Sequence, residues 1–325
     1  MKSYSKLFKF TAFLFLFTGL VACSDDDDST APPVVETNTI ADFVANNQNY
    51  SSLAAALEVT GLTSTLDGTQ NYTVFAPDND AFAAFLSDNG FSGLNDVPTA
   101  LLTQVLLNHV QMGEIMAADL STGYIESMAV GGASEENLSM YINTDNGVMI
   151  NGVASVTTAD VEVDNGVIHA VDAVIGLPNI VTFALADPTF STLVQALTRE
   201  EDFPFVGVLM QTDSPAPFTV FAPTNQAFAD LIEDLDGVSS LDDIPTDVLA
   251  STLSYHVVAG ANVRSSDLTD DMVVATLAEQ SFTINLGDGA VITDANQRTA
   301  NIIAVDVQAN NGVIHVIDTV VLPAM

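Results

Sequence analysis

The stretch NGVIHAVDAVIGLP at residues 165–178 and its near copy NGVIHVIDTVVLP at 311–323 decide the fold. Each opens on Asn-Gly, the pair that best tolerates the positive φ values of a two-residue type I′ hairpin turn. The run that follows is apolar and rich in β-branched residues, as suits a strand buried on both faces. Each run carries one His and one Asp and stops at Leu-Pro. Such a stretch repeated 146 residues later marks a duplicated unit, so the chain reads as two copies of one design.

Working outward, the same elements recur around each copy. YTVFAP at 72–77 and FTVFAP at 218–223 predict strands ended by Pro, which cannot donate to a ladder. Asp78 or Thr224 then caps a helix whose apolar face is Phe82, Phe85 and Leu86, or Phe228, Leu231 and Ile232. Upstream, Ile40, Phe43 and Val44 mark a short helix. A second helix has Tyr50, Leu53, Ala54 and Leu57 on one face, matched by Phe190, Leu193, Val194 and Leu197, with Asn49 and Thr189 as expected caps. A further helix starts near Pro98 or Pro245 and runs into Asn108-His109 or Tyr255-His256. Period-2 segments and Gly-containing turns such as Gly287-Asp288-Gly289 then predict antiparallel strands. The second copy carries an insert, EEDFPFV at 200–206, read as a surface loop.

Composition narrows the function. The 325 residues contain 42 Asp+Glu and six Lys+Arg, and beyond residue 23 only Arg199, Arg264 and Arg298 are basic. A surface this acidic repels phosphate backbones, which excludes nucleic acid as a partner. One Cys rules out a disulfide framework and a Cys-rich metal site, and no loop has the spacing of an EF-hand. No metal or cofactor is therefore expected.

Residues 1–22 have a Lys-containing start and a thirteen-residue apolar segment at 10–22. That segment makes about 20 Å of helix, short of the roughly 30 Å bilayer core, and reads as a secretory signal. It ends Leu20-Val21-Ala22-Cys23, which resembles the bacterial lipobox and implies lipidation of Cys23 and membrane attachment through it. Residues 23–37 form an acidic, Ser/Thr/Pro-rich tether opening Ser24-Asp25-Asp26-Asp27-Asp28. This start resembles the export signal of Bacteroidetes lipoproteins and implies an outer-membrane lipoprotein exposed at the cell surface.

Three blocks, present twice and in order, resemble the fasciclin-like (FAS1) domain family: TVFAPDNDAF and TVFAPTNQAF at 73–82 and 219–228, the Tyr-His pair at 255–256, and the two NGVIH…LP stretches. The resemblance implies an α+β fold in two tandem domains, 38–178 and 179–325, each a β-sandwich or wedge packed with several short helices. It also implies non-enzymatic adhesion, with a protein or polysaccharide partner outside the cell. The family's link between the Tyr-His segment and adhesion carries onto Tyr255 and His256. Asn108 and His109 hold the matching places in the first copy, where Asn108 departs from the expected aromatic.

The residues give little support to catalysis. All four His (His109, His169, His256, His315) lie in the repeated blocks, and strand alternation points Asp172 and Asp318 away from His169 and His315. No Gly-x-Ser-x-Gly elbow, His-Glu-x-x-His helix or phosphate-cradling loop occurs. The alternative to adhesion is a carbohydrate- or small-ligand-binding protein accessory to a surface uptake system. With no Trp, its aromatic platform would draw on Tyr124, Tyr141, Phe203 and Phe205.

Overall fold

The computed structural model describes residues 38–324; the signal segment, Cys23 and the tether lie outside the described residues. The first repeat contains α1 (Ile40–Asn46), α2 (Ser51–Thr60), α3 (Thr63–Leu66), β1 (Tyr72–Pro77), α4 (Asn79–Asp88) and α5 (Thr99–Leu107). Six strands complete it: β2 (Val110–Met112), β3 (Gly123–Val130), β4 (Asn137–Asn143), β5 (Met149–Ile150), β6 (Ala154–Val163) and β7 (Gly166–Val171). The second repeat begins with α6 (Ile180–Ala186), α7 (Ser191–Leu197), α8 (Phe205–Leu209), β8 (Phe218–Pro223), α9 (Asn225–Asp234) and α10 (Thr246–Tyr255). It ends with β9 (Val257–Ala259), β10 (Met272–Ala275), β11 (Ser281–Leu286), β12 (Ala290–Thr293), β13 (Thr299–Ala309) and β14 (Gly312–Ile317).

The two sheets have one topology: β2-β1-β7-β6-β5-β4-β3, and β9-β8-β14-β13-β12-β11-β10. The predicted central strands sit within them, every residue of β7 and β14 buried, and each pairs in parallel with the other predicted strand, β1 or β8. All remaining strand pairs are antiparallel. Alternation along these strands feeds two cores. Val74, Ile168 and Ala170 face the helices with Leu53, Leu57 and Leu102, while Phe75 and Val171 face the other side with Met140, Ile142 and Ile150. In the first repeat β2 and β3, at opposite ends of the hydrogen-bonded series, pack on one another, so the sheet folds over this second core as a wedge.

The Asn-Gly pairs do not form the expected type I′ turns. Pairing of Val163 with Gly166 and of Ala309 with Gly312 makes 164–165 and 310–311 the turn residues, one place earlier. Neither Asn165 nor Asn311 has a positive φ, which a type I′ turn requires at both centres. The glycine is needed for close approach instead: a Cβ on Gly166 (φ 142) would lie 1.9 Å from the Tyr72 carbonyl oxygen, and one on Gly312 would lie 2.2 Å from that of Phe218. The asparagine is a bracket. Asn165 accepts from the Ile40 N–H at 2.8 Å and donates to the Leu66 and Gly68 carbonyls at 2.7 and 2.8 Å. Asn311 repeats this with Ile180, Leu209 and Gln211. Each bracket joins the first free N–H of one helix to the last carbonyl of another, groups that a helix cannot satisfy internally, and to a carbonyl two residues further on.

Asp78 and Thr224 cap α4 and α9 through the N–H groups of Ala81 and Ala227. The caps expected at Asn49 and Thr189 fall two residues earlier, at Asn47 and Asp187, because a 3-10 turn precedes α2 and α7. The insert is also less exposed than a loop reading implies. Phe205 begins α8 and is buried, edge-on to half-buried Phe203. Ahead of it, Arg199 donates to the Leu241 and Ile244 carbonyls and to Thr246 Oγ1 at the start of α10.

The repeats are joined by side chains of both. Tyr124 packs edge-on to Phe183, its ring 5.5 Å away, and donates its hydroxyl to Asp187 at 3.0 Å. Buried Tyr141 belongs to the core of the second repeat. Gln308 N–H donates to Ser139 Oγ, and Gly132 N–H to Asn310 Oδ1.

Candidate functional site

Tyr255 and His256 end α10, and Asn108 and His109 follow α5; the four are between 0 % and 3 % exposed. Tyr255 donates its hydroxyl to the Ser281 carbonyl, and Asn108 Nδ2 donates to that of Gly176. His109 Nδ1 donates to the Val105 carbonyl at 2.7 Å while Nε2 accepts from the Ile175 N–H at 2.8 Å. His256 makes the same two bonds with Thr252 and Val321. Each imidazole therefore ties a helix end to the segment that leaves the central strand. An N–H aimed at one nitrogen and a carbonyl at the other demand the neutral ring, and burial pushes both groups down to about 4. In this arrangement the four side chains offer a partner no surface; they act on one only through the segments they position.

His169 and His315 sit on the wedge side of β7 and β14, 5.6 and 5.4 Å from the rings of Phe75 and Phe221. Asp172 and Asp318 do lie away from them, accepting from the N–H groups of Ser155 and Asn301. The carboxylates near these rings are Asp160 and Asp306, which sequence reading missed. Both have positive φ where β6 and β13 lose regular register. Their N–H groups donate to Nδ1 of His169 and His315, whose Nε2 atoms donate to the Ile115 and Val263 carbonyls. An Asp inside an otherwise strand-like run, TTADVEV or IIAVDVQ, was the available signal. Among the described residues no three His, Cys, Asp or Glu side chains are grouped to hold a metal ion. Nor is any single helix among them long and apolar enough to cross a membrane.

Two of the concave features among the described residues bear on function. A cleft of about 520 Å³ runs between α4, α5 and the 173–177 segment of the first repeat and Thr182 and Asn310 of the second. Leu101 and Val153 line it while 37 % and 56 % exposed. So does Asn151, 3 % exposed, whose Nδ2 has no protein partner. Its Oδ1 is occupied by the Tyr141 N–H, which fixes the amide in place. The second feature is an apolar cavity of about 260 Å³ between the helices and sheet of the second repeat.

The repeated topology has a counterpart among known proteins. A model of the fasciclin domain matches residues 48–178 and again 188–323. The chain belongs to the fasciclin domain family. Both FAS1 domains are mixed α+β, and the domain pair resembles that of the insect cell adhesion molecule Fasciclin I, with a TM-score of 0.52 at 20 % identity over 83 % of this chain and 97 % of that one. Protein sll1483 of Synechocystis is 34 % identical over 183 residues, covering 54 % of this chain and 98 % of its own. Transforming growth factor-beta-induced protein ig-h3 of the rabbit, Oryctolagus cuniculus, is 28 % identical over 79 % of this chain, which spans 35 % of that protein.

The FAS1 fold also places the aromatic residues expected to bind sugar. Tyr141 and Phe205 are buried, and half-buried Tyr124 and Phe203 pack against Phe183 and Phe205. These rings form no open stacking platform.

Proposed function

We propose that this chain is a non-enzymatic outer-membrane lipoprotein, anchored through Cys23 and exposed at the cell surface, whose FAS1 domains mediate adhesion to an extracellular protein or polysaccharide. The observation that carries this reading is the cleft shared by the two domains. It sets exposed apolar side chains, Leu101 and Val153, beside the unpaired amide donor of Asn151. A buried donor without a partner costs free energy until a ligand or water accepts from it. A partner carbonyl or hydroxyl would fill that role while its apolar parts cover Leu101 and Val153. Such a surface draws on both domains, so a single contact engages the pair.

The four histidines support the non-enzymatic reading, since each ring has both nitrogens engaged by backbone groups. The test is attachment of cells carrying the full chain, its Leu101→Asp/Val153→Asp variant, or a chain lacking residues 38–325. Both changes should abolish attachment to the native surface while Cys23 keeps the chain on the membrane. Attachment unchanged by the deletion would overturn the adhesion reading. Retention on membranes after Cys23→Ala would overturn the anchor.

The alternative, a small-ligand-binding protein, is favoured by one observation, the apolar cavity of the second domain.

A further inference from the structure

We propose that the second FAS1 domain binds one small uncharged hydrocarbon-like molecule in the cavity between its helices and its sheet. This deepens the small-ligand reading and is independent of adhesion through the cleft. The walls are Ala184 of α6, Leu193 and Leu197 of α7, Val220 of β8, Leu253 of α10 and Ile314 of β14. The volume is about 260 Å³, and the lining is almost wholly apolar. The one titratable side chain in the wall, His256, has both nitrogens committed to the backbone. Nothing inside asks for a hydrogen bond, and nothing would hold water. A dry apolar cavity of roughly 150 Å³ already admits benzene, so this one has room for about ten carbons.

The first domain supplies the internal comparison. The same places there are Val44, Leu53, Leu57, Val74 and Leu106, with His109 where the second has His256, yet the space they enclose is only about 20 Å³. Two differences account for the contrast. Val44 is replaced by the smaller Ala184. Met128 of β3 also reaches the first pocket, on a strand held against α5 by the bond from Val130 N–H to Gln104 Oε1. In the second domain the corresponding strand, β10, has four residues where β3 has eight, and no residue of it reaches the cavity. The duplicated architecture thus packs tightly in one copy and stays open in the other.

The lining sets the ligand's charge. Leu185 stands at the cavity with 67 % exposure, and Val194 and Val206 are half-buried beside it. No Lys or Arg lines the cavity, and the His256 ring is held neutral by its two backbone bonds. A carboxylate would be desolvated there without a counter-charge, so an alcohol or hydrocarbon is preferred over a fatty-acid anion.

The test is titration of the full chain with naphthalene, a neutral ten-carbon fluorophore, followed by displacement with 1-decanol or decanoate at pH 7.5. Only the saturable component counts. The expected result is one probe per chain, displaced at least tenfold more effectively by decanol than by decanoate. Ala184→Phe, which fills the cavity, should weaken binding at least tenfold. Leu185→Glu alters only an exposed side chain, keeps the fold by circular dichroism, and should weaken binding as well. Absence of saturable binding, or binding unaffected by Leu185→Glu in the folded chain, would overturn the proposal. Attachment through Leu101 and Val153 is read separately, so either proposal fails without the other.

Discussion

Asn165→Ala removes the bracket that opens the repeated stretch, and its cost follows from three bonds. The substitution leaves the Ile40 N–H and the Leu66 and Gly68 carbonyls without their partner. Ile40 and Leu66 are 0 % and 4 % exposed, so water replaces the amide poorly at those two groups. A hydrogen bond is worth about 1 kcal/mol net, and a buried group left unpaired costs about 1–3 kcal/mol. The expected loss is therefore about 3–5 kcal/mol, a large part of the roughly 5–15 kcal/mol that holds a typical domain folded. Urea unfolding followed by circular dichroism measures the loss, and hydrogen exchange assigns it to residues 38–178. Asn165→Asp keeps the acceptor but aims a carboxylate at two carbonyls. It should be at least as damaging at pH 7 and recover partly on acidification, when a protonated carboxyl can donate to one of them. A loss below about 1 kcal/mol for the alanine variant, or no pH dependence for the aspartate variant, would refute the bracket.

Three further outcomes are expected. Burial holds His109 and His256 near 4 when folded, against 6.5 unfolded. The unfolded chain protonates first, so their contribution is intact above about pH 6.5 and lost as pH falls through about 4, up to about 3 kcal/mol each. Between pH 7 and 4, His256→Gln should consequently lose less stability than the wild type, and parallel curves in urea would count against the neutral-ring assignment. Gly166→Ala should cost about 2–4 kcal/mol in thermal unfolding, because its Cβ collides with the Tyr72 carbonyl and the β1–β7 pair must separate. Arg199→Ala should cost about 2 kcal/mol and raise hydrogen exchange in α10, since it strips partners from two carbonyls and Thr246 at a side chain only 11 % exposed.

The candidate site was less legible than the fold, and particular residues show why. Tyr255-His256 reads as polar and aromatic at the end of a helix, which suits a contact surface equally well. Burial follows only when the segment after β14 folds back and Val321 donates to the ring. Asn151 gave no signal at all. Its unpaired amide becomes significant because α5, the 173–177 segment and Asn310 of the second domain meet around it. The two cavities were equally hidden, since Val44 and Ala184 are both ordinary apolar helix residues.

The sequence by itself determined the duplication, the central buried strands, the antiparallel remainder of each sheet and the absence of a recognised catalytic motif. These are readings of local period and composition, which survive whatever the chain packs against. Tertiary structure decided that Asn165 and Asn311 are brackets and that Asp160 and Asp306, not Asp172 and Asp318, approach the strand histidines. It also decided that one repeat closes over its pocket while the other leaves about 260 Å³ open. Each of these depends on groups tens of residues apart meeting in space. The reach of Met128 and the missing bulk at Ala184 can be weighed only once both domains are folded.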